Sequence, residues 1–286
     1  SNSPFNHGIY SGEVWMDGQS IFAFKLDSIS YDETRYVNAC IDYSEYARHK
    51  KYRQFLFSLP GNELNIYAPT NTQGLVILND TNLHDIKIEA KDIDGNTSTL
   101  NFKIQFSGIS NNNFSYPANA KPFLPGQENS VQGNSFKANF TANAFYEDFP
   151  FVYIETPDNT ANSASNTISL GDYFIPVHDS YEILIQSTLA ENDPLRNNVI
   201  VELMKRKKKI FQKGTWQGNW MKGNFRDLGK IKLMIDTVPP ELFKVGWENG
   251  QTFTGNKTLN FRASDKGSDI QSFSALLDGK WLLFSN

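Results

Sequence analysis

Metal or nucleophilic chemistry would have to come from four histidines, His7, His49, His84 and His178, and one cysteine, Cys40, in this chain of 286 residues. No two histidines are close enough for a His-x-His or His-Glu-x-x-His pair, whereas a catalytic zinc takes three protein ligands from His, Asp, Glu or Cys. His178 and Glu182 have chelating spacing for a helix, but the sequence leads into a strand, where the two side chains share a face and stand too far apart. A single cysteine excludes an intrachain disulfide and every multi-cysteine zinc or iron–sulfur site. With no histidine beside it, Cys40 reads as a buried, inert thiol. No Gly-rich phosphate loop, Gly-x-Ser-x-Gly elbow or Cys/His catalytic spacing occurs.

Carboxylates offer little more. Asp32-Glu33 and Glu147-Asp148 are adjacent, but neighbours on a strand point to opposite faces and form no acid/base pair. Two distant acids brought together by folding, as in a glycosidase, would make the chain a stand-alone enzyme, and sequence leaves that open. Asp92, Asp94, Gly95 and Asn96 look like the opening of a calcium loop. An EF-hand needs glycine in sixth place and a distal Glu; glycine comes fourth here, and a hairpin turn suits these residues better. Asp265-Lys266-Gly267-Ser268-Asp269 also reads as a turn.

Two surface features suggest binding. Lys205, Arg206 and Lys207 open a basic run that extends to Lys209. It reads as a solvated hairpin tip between the strands Val199–Met204 and Ile210–Phe211, or as a contact for an anionic polymer. Trp216 and Trp220, among Gly214, Gly218 and Gly223, could form an aromatic platform for a sugar; such residues more often fill a sandwich core. Trp216, Trp220, Lys205, Arg206 and Lys207 are therefore the candidate glycan or partner contacts, with no catalytic, cofactor or metal residue assigned.

The elements that would position these groups are short alternating runs divided by Gly, Asn, Asp and Pro, the pattern of an all-β chain. Asp17-Gly18 between Ile9–Met16 and Ile21–Leu26 predicts a hairpin, because both turn residues tolerate positive φ. Leu75–Leu78, Leu83–Ala90 and Thr97–Phe106 read as further strands. Residues 31–51 are charged and proline-free, with Asp42 and Glu45 at the start and Arg48-His49-Lys50-Lys51 at the end; this predicts a helical insertion. The fold class is all-β, tandem immunoglobulin-like sandwiches with a short helical insertion. A first domain spans 1–107, a Pro- and Asn-rich linker 108–134, and a second sandwich 135–236, with strands at Phe149–Glu155, Tyr181–Gln186, Val199–Met204 and Lys230–Ile235 and an exposed loop over 157–167. Phe114, Tyr116 and Phe123 suggest that the linker packs along a surface. After Pro239-Pro240, residues 237–286 read as a partial immunoglobulin-like domain with strands at Thr258–Ala263, Ile270–Leu277 and Trp281–Phe284. About 100 residues make a full domain, so this third unit reads as truncated.

Charge is 27 basic against 31 acidic residues, a net of −4, which supplies no global attraction for nucleic acid or an acidic membrane surface. The absence of a long apolar run excludes a helical membrane span. Ser1-Asn2-Ser3-Pro4 shows no charged-then-apolar leader, so any export signal is expected to have been removed or left out.

Five segments in order carry a family likeness: Gly8-Ile9-Tyr10-Ser11-Gly12-Glu13-Val14-Trp15-Met16-Asp17-Gly18; Asp32-Glu33-Thr34-Arg35-Tyr36-Val37-Asn38; Ile41-Asp42-Tyr43; Asp236-Thr237-Val238-Pro239-Pro240; and Asp278-Gly279-Lys280-Trp281. The series resembles the non-catalytic C-terminal region of Bacteroidetes-type exported proteins that carry a lysostaphin/LytM-like zinc peptidase domain. That family's upstream domain binds zinc through His-x-x-x-Asp and His-x-His segments, neither of which is present, so no catalytic residue carries over. The resemblance implies an accessory region of a periplasmic or cell-surface peptidoglycan peptidase, with zinc only in the upstream domain and strands missing at both ends. Its partners would be that domain and a cell-wall polymer or envelope protein. The alternative is a stand-alone adhesion or glycan-binding module. The middle block is also similar to the ZU-type β domains of ankyrins, through its run of strands leading to a Trp-rich segment.

Overall fold

The computed structural model describes residues 9–70, 72–108, 117–255, 258–265, 267–268, 270 and 272–282. His7, Phe114 and Tyr116 lie outside these residues, as do Lys266, Asp269 and the end of the expected strand Trp281–Phe284.

The first antiparallel sheet contains β1 (Ser11–Met16), β2 (Gln19–Lys25), β3 (Leu83–Lys91) and β4 (Thr97–Gln105), in the order β2-β1-β3-β4. Asp17 and Gly18 make the β1–β2 turn with φ of 50° and 81°, the conformation that Asp-Gly tolerates. In the β3–β4 turn, Asp92 Oδ1 accepts from the backbone N–H groups of Asp94 and Asn96. That oxygen caps the hairpin turn, the role in which Asp, Gly and Asn are favoured.

Val14, Phe22, Phe24 and Ile86 are buried on one face of this sheet. The layer that covers them is the insertion rather than a second sheet. It consists of a 3₁₀ helix at Tyr31–Ala39, which buries Tyr36 and Ala39, and the loop carrying Leu59, Leu64 and Ile66; α1 (Tyr43–His49) follows the 3₁₀ helix and buries no residue in this core. Each helix starts where the sequence supplies a cap. Ser30 and Glu33 form a reciprocal capping box, and Asp42 accepts from the Glu45 N–H, which satisfies donors that have no partner inside the helix. Leu75–Leu78 has no strand alongside, and Leu75 and Ile77 are exposed. A run of four apolar-rich residues lacks the alternation that would fix it in a sheet.

The second domain is a two-sheet sandwich. Its strands are β5 (Lys121–Phe123), β6 (Asn129–Gln132), β7 (Phe136–Phe140), β8 (Phe149–Phe151), β9 (Tyr153–Thr156), β10 (Thr167–Leu170), β11 (Tyr181–Gln186), β12 (Val199–Lys205), β13 (Lys208–Gln212), β14 (Thr215–Gln217), β15 (Trp220–Phe225) and β16 (Gly229–Ile235). One sheet runs β13-β12-β16-β10-β9, the other β14-β15-β11-β7-β6, and β5 pairs with β8. Alternate residues point inward: Ile168, Leu170, Val201, Leu203, Ile231 and Leu233 from one sheet meet Phe136, Phe140, Tyr181, Ile183, Ile185 and Met221 from the other. Thus β5 and β6 fall in the segment that reads as linker. Pro122 lies in a two-stranded pair opposite Pro150, an edge setting where a missing N–H costs no interior ladder bond. Phe123 beside it is fully buried.

Beyond Asp236 follow the pair β17 (Glu241–Val245) and β18 (Asn260–Ser264) and the hairpin β19 (Leu276–Leu277) and β20 (Lys280–Trp281). Among the described residues of the expected strand Ile270–Leu277, Leu276 and Leu277 are paired in a ladder.

Candidate functional site at the domain seam

Tyr146 sits in the β7–β8 connection of the second domain, yet it is 2% exposed and packs among Tyr36, Cys40, Leu59 and Ile66 in the core of the first. Its hydroxyl donates to the Arg35 carbonyl at 2.8 Å and lies 3.0 Å from His178 Nδ1. One phenol has one proton, and the carbonyl can only accept; His178 Nδ1–H therefore donates to the Tyr146 oxygen. The His178 ring stacks on Tyr36 with centroids 4.0 Å apart and meets Tyr146 edge-on at 5.6 Å. Arg35 returns a bond across the seam, donating from Nη1 to the Val177 carbonyl at 2.7 Å.

Burial is the largest influence on His178 and holds it below the usual 6.5; Arg35 and Arg226 add to it, and Asp179 and Glu63 oppose it. Tyr36 is pushed up to about 12 by burial and by the Glu63 carboxylate that its hydroxyl donates to at 3.0 Å. Burial likewise raises the Cys40 thiol, which lies 3.2 Å from the Tyr67 hydroxyl. A neutral imidazole and protonated phenols suit a structural cluster, held by dispersion and neutral hydrogen bonds.

Backbone approach closes the seam further. The Gly61 N–H donates to the Tyr146 carbonyl at 2.8 Å. A Cβ on Gly61 would stand 2.5 Å from the Phe145 carbonyl oxygen and 2.8 Å from Tyr146 Cα, so only glycine fits. Outside this contact, Arg48 of α1 lies over the Phe174 ring at 3.6 Å.

Two adjoining cavities open along the seam and share Asn38, Tyr43 and Pro176. One, about 190 Å³, is lined mainly by apolar groups including Ile41, Phe55, Phe149 and Ile175, with Glu147 among them. Burial, then Asp148 and Asp42, raises the Glu147 carboxyl. The other, about 280 Å³, is polar: Thr34, Arg35, Asn38 and Tyr43 from the first domain face Lys205, Arg226 and Asp227 from the second.

The residues singled out from sequence separate into distinct places. Lys205 Nζ pairs with Asp227 at 2.5 Å and donates to the Tyr43 hydroxyl at 3.3 Å, which puts it in the seam. Burial lowers its pKa, but Asp227 outweighs burial and leaves it raised. Arg206 and Lys207 form the β12–β13 turn; Arg206, with φ of 57°, reaches the Ala47 carbonyl at 3.5 Å, and Lys207 is exposed. Trp216 packs against the sandwich core, donates to the Arg196 carbonyl and carries the Arg196 guanidinium 3.7 Å over its ring. Trp220 is half-buried beneath Lys137. The fold does not gather the two tryptophans and the basic turn into one site.

Among the described residues, the two other histidines contact side chains of their own neighbourhood. His49 contacts Glu45, and His84 bridges Asp17 and Asp80. Glu182 pairs with Lys222 rather than with His178. Among the described residues no three His, Cys, Asp or Glu side chains converge on a metal-sized position, and no helix is long and apolar enough to cross a membrane. Sequence reading missed Arg35, Tyr43 and Tyr146 as seam residues. Contacts that span 142 positions, as from Arg35 to Val177, leave no local spacing to detect.

Residues 121–236, the whole of the second sandwich from β5 to β16, match the model of the Zu5-like domain family. No curated protein matches the chain.

Proposed function

We propose that these residues form a non-catalytic interaction region, in which a Zu5-like sandwich and a smaller β-domain act as one rigid support. The observation that carries this reading is Tyr146, a side chain of the sandwich buried in the other domain's core. A joint made in that way holds orientation, as a support must. Interfaces between domains that move are ordinarily more polar and lack such an anchor.

The family resemblance extends the proposal. The region would belong to an exported cell-wall peptidase, in the periplasm or at the cell surface. There it would orient an upstream zinc domain and meet a wall polymer or envelope protein. The dispersed histidines and carboxylates are consistent with chemistry supplied elsewhere. The test is hydrolysis: the purified chain, given zinc and peptidoglycan, should release no new amino termini. Release that persists in the purified chain and disappears when one of its own acids or histidines is replaced would overturn the non-catalytic reading.

A further inference from the structure

The polar cavity at the seam is cationic, although the chain as a whole is acidic. Its lining carries three cations, Arg35, Lys205 and Arg226, and one carboxylate, Asp227, a local balance of plus two in a molecule whose net charge is −4. Asp227 is committed to Lys205, and one N–H of Arg35 is committed to the Val177 carbonyl. The Arg226 guanidinium makes no hydrogen bond or ion pair among the described residues. Asn38 likewise leaves its side-chain amide without a partner among them. The Tyr43 oxygen accepts from Lys205, so its own proton is available to donate.

Like charges are not gathered in a recess without cost, because each cation raises the electrostatic energy of the others. A dianionic oxyanion would reverse that sign. Two guanidinium forks, an ammonium, an amide and a phenol supply donors to several oxygens at once, and arginine's planar fork is matched to phosphate geometry. The cavity is slightly smaller than a typical small-molecule site, large enough for a phosphate and a few attached atoms.

We propose that this cavity binds a phosphate group, as inorganic phosphate or the terminal phosphate of a monoester, with Arg226 and Arg35 holding its oxygens from opposite sides of the seam. The donors come from both domains, so the ligand would brace the joint. The inference goes beyond the scaffold reading and can fail without it: a rigid seam needs no ligand.

The experiment is titration of the intact chain with inorganic phosphate, followed by calorimetry and by the His178 imidazole resonances. Sulfate and acetate serve as comparison anions at matched ionic strength, and glycerol phosphate tests the monoester. Phosphate should bind more tightly than acetate, and Arg226→Gln should weaken it about tenfold, the loss of one charge-assisted contact. Lys207→Gln, which removes an exposed cation outside the cavity, should leave affinity unchanged. Bound phosphate should also raise the pH at which His178 titrates, since it offsets the Arg35 and Arg226 charges that act on that ring. Glycerol phosphate that binds as well as phosphate identifies an open monoester site; binding of phosphate alone identifies a closed one. The proposal is overturned if phosphate fails to bind, if acetate matches it, or if Arg226→Gln and Lys207→Gln weaken binding equally. A folded Arg226→Gln protein, judged by an unchanged amide spectrum elsewhere, makes the comparison valid.

Discussion

Replacing Tyr146 by phenylalanine removes one oxygen from the seam and leaves the ring in place. The wild-type hydroxyl takes part in two hydrogen bonds, to the Arg35 carbonyl at 2.8 Å and from His178 at 3.0 Å. Each neutral bond contributes about 1 kcal/mol, and a buried group deprived of its partner costs about 1–3 kcal/mol. Because both partners are only part-buried and water can reach them, the lower figures apply and the sum is about 2 kcal/mol. In a protein of this size that corresponds to a fall in Tm of about 4–8 °C. The loss should be felt by both domains, since the residue belongs to one by sequence and to the other by packing. Scanning calorimetry of Tyr146→Phe, with Tyr146→Ala as the larger perturbation, measures it. The alanine variant should cost about 3–5 kcal/mol through the cavity left in the first core and should separate one thermal transition into two. A Tyr146→Phe midpoint within about 1 °C of wild type, or a Tyr146→Ala protein that still melts in a single step, would refute the shared-core reasoning.

Three further outcomes follow from the same geometry. Gly61→Ala should loosen the seam, because the added carbon cannot stand 2.5 Å from the Phe145 oxygen; faster amide exchange at Gly61 and its neighbours reports it, while the far sheet of the sandwich stays protected. His178 and His84 should titrate on opposite sides of 6.5 by NMR, His178 below because of burial and His84 above because of its Asp17 and Asp80 partners. The signs follow from linkage. His178 withdraws stability as pH falls below 6.5 toward its folded value, where the unfolded chain binds the extra proton. His84 contributes stability that is full below 6.5 and fades as pH rises through its folded value. Trp216→Ala should cost about 2–4 kcal/mol, for its burial and its arginine-covered ring, and Trp220→Ala less than about 1 kcal/mol; denaturant unfolding distinguishes them.

Local signals carried much of the architecture. Asp17-Gly18 announces its hairpin because few residue pairs accept two positive φ values, and Asp42 announces α1 because a carboxylate before a charged run caps a helix. The β-prone run Tyr181–Gln186 marks β11 by itself, with Tyr181, Ile183 and Ile185 turned inward. The sequence was silent where partners are remote. Pro122 reads as a ladder breaker until β8 appears beside it with Pro150 opposite. Lys205 reads as the start of a solvated charge run, and only Asp227 and Tyr43, brought in by folding, make it a seam residue. Trp216 had both readings, platform and core, and its position under Arg196 places it against the sandwich core. Tyr146 followed no pattern at all, since its role depends on a second domain's core.

The claim on which these points converge is that the two folded domains move as one body. Residual dipolar couplings of backbone amides in weakly aligned solution test it most directly. Couplings from the first sheet, β1 to β4, and from the sandwich, β5 to β16, should fit a single alignment tensor with one magnitude and orientation. Two tensors of different magnitude would mean that the domains reorient independently, and that the Tyr146 contact does not hold them together.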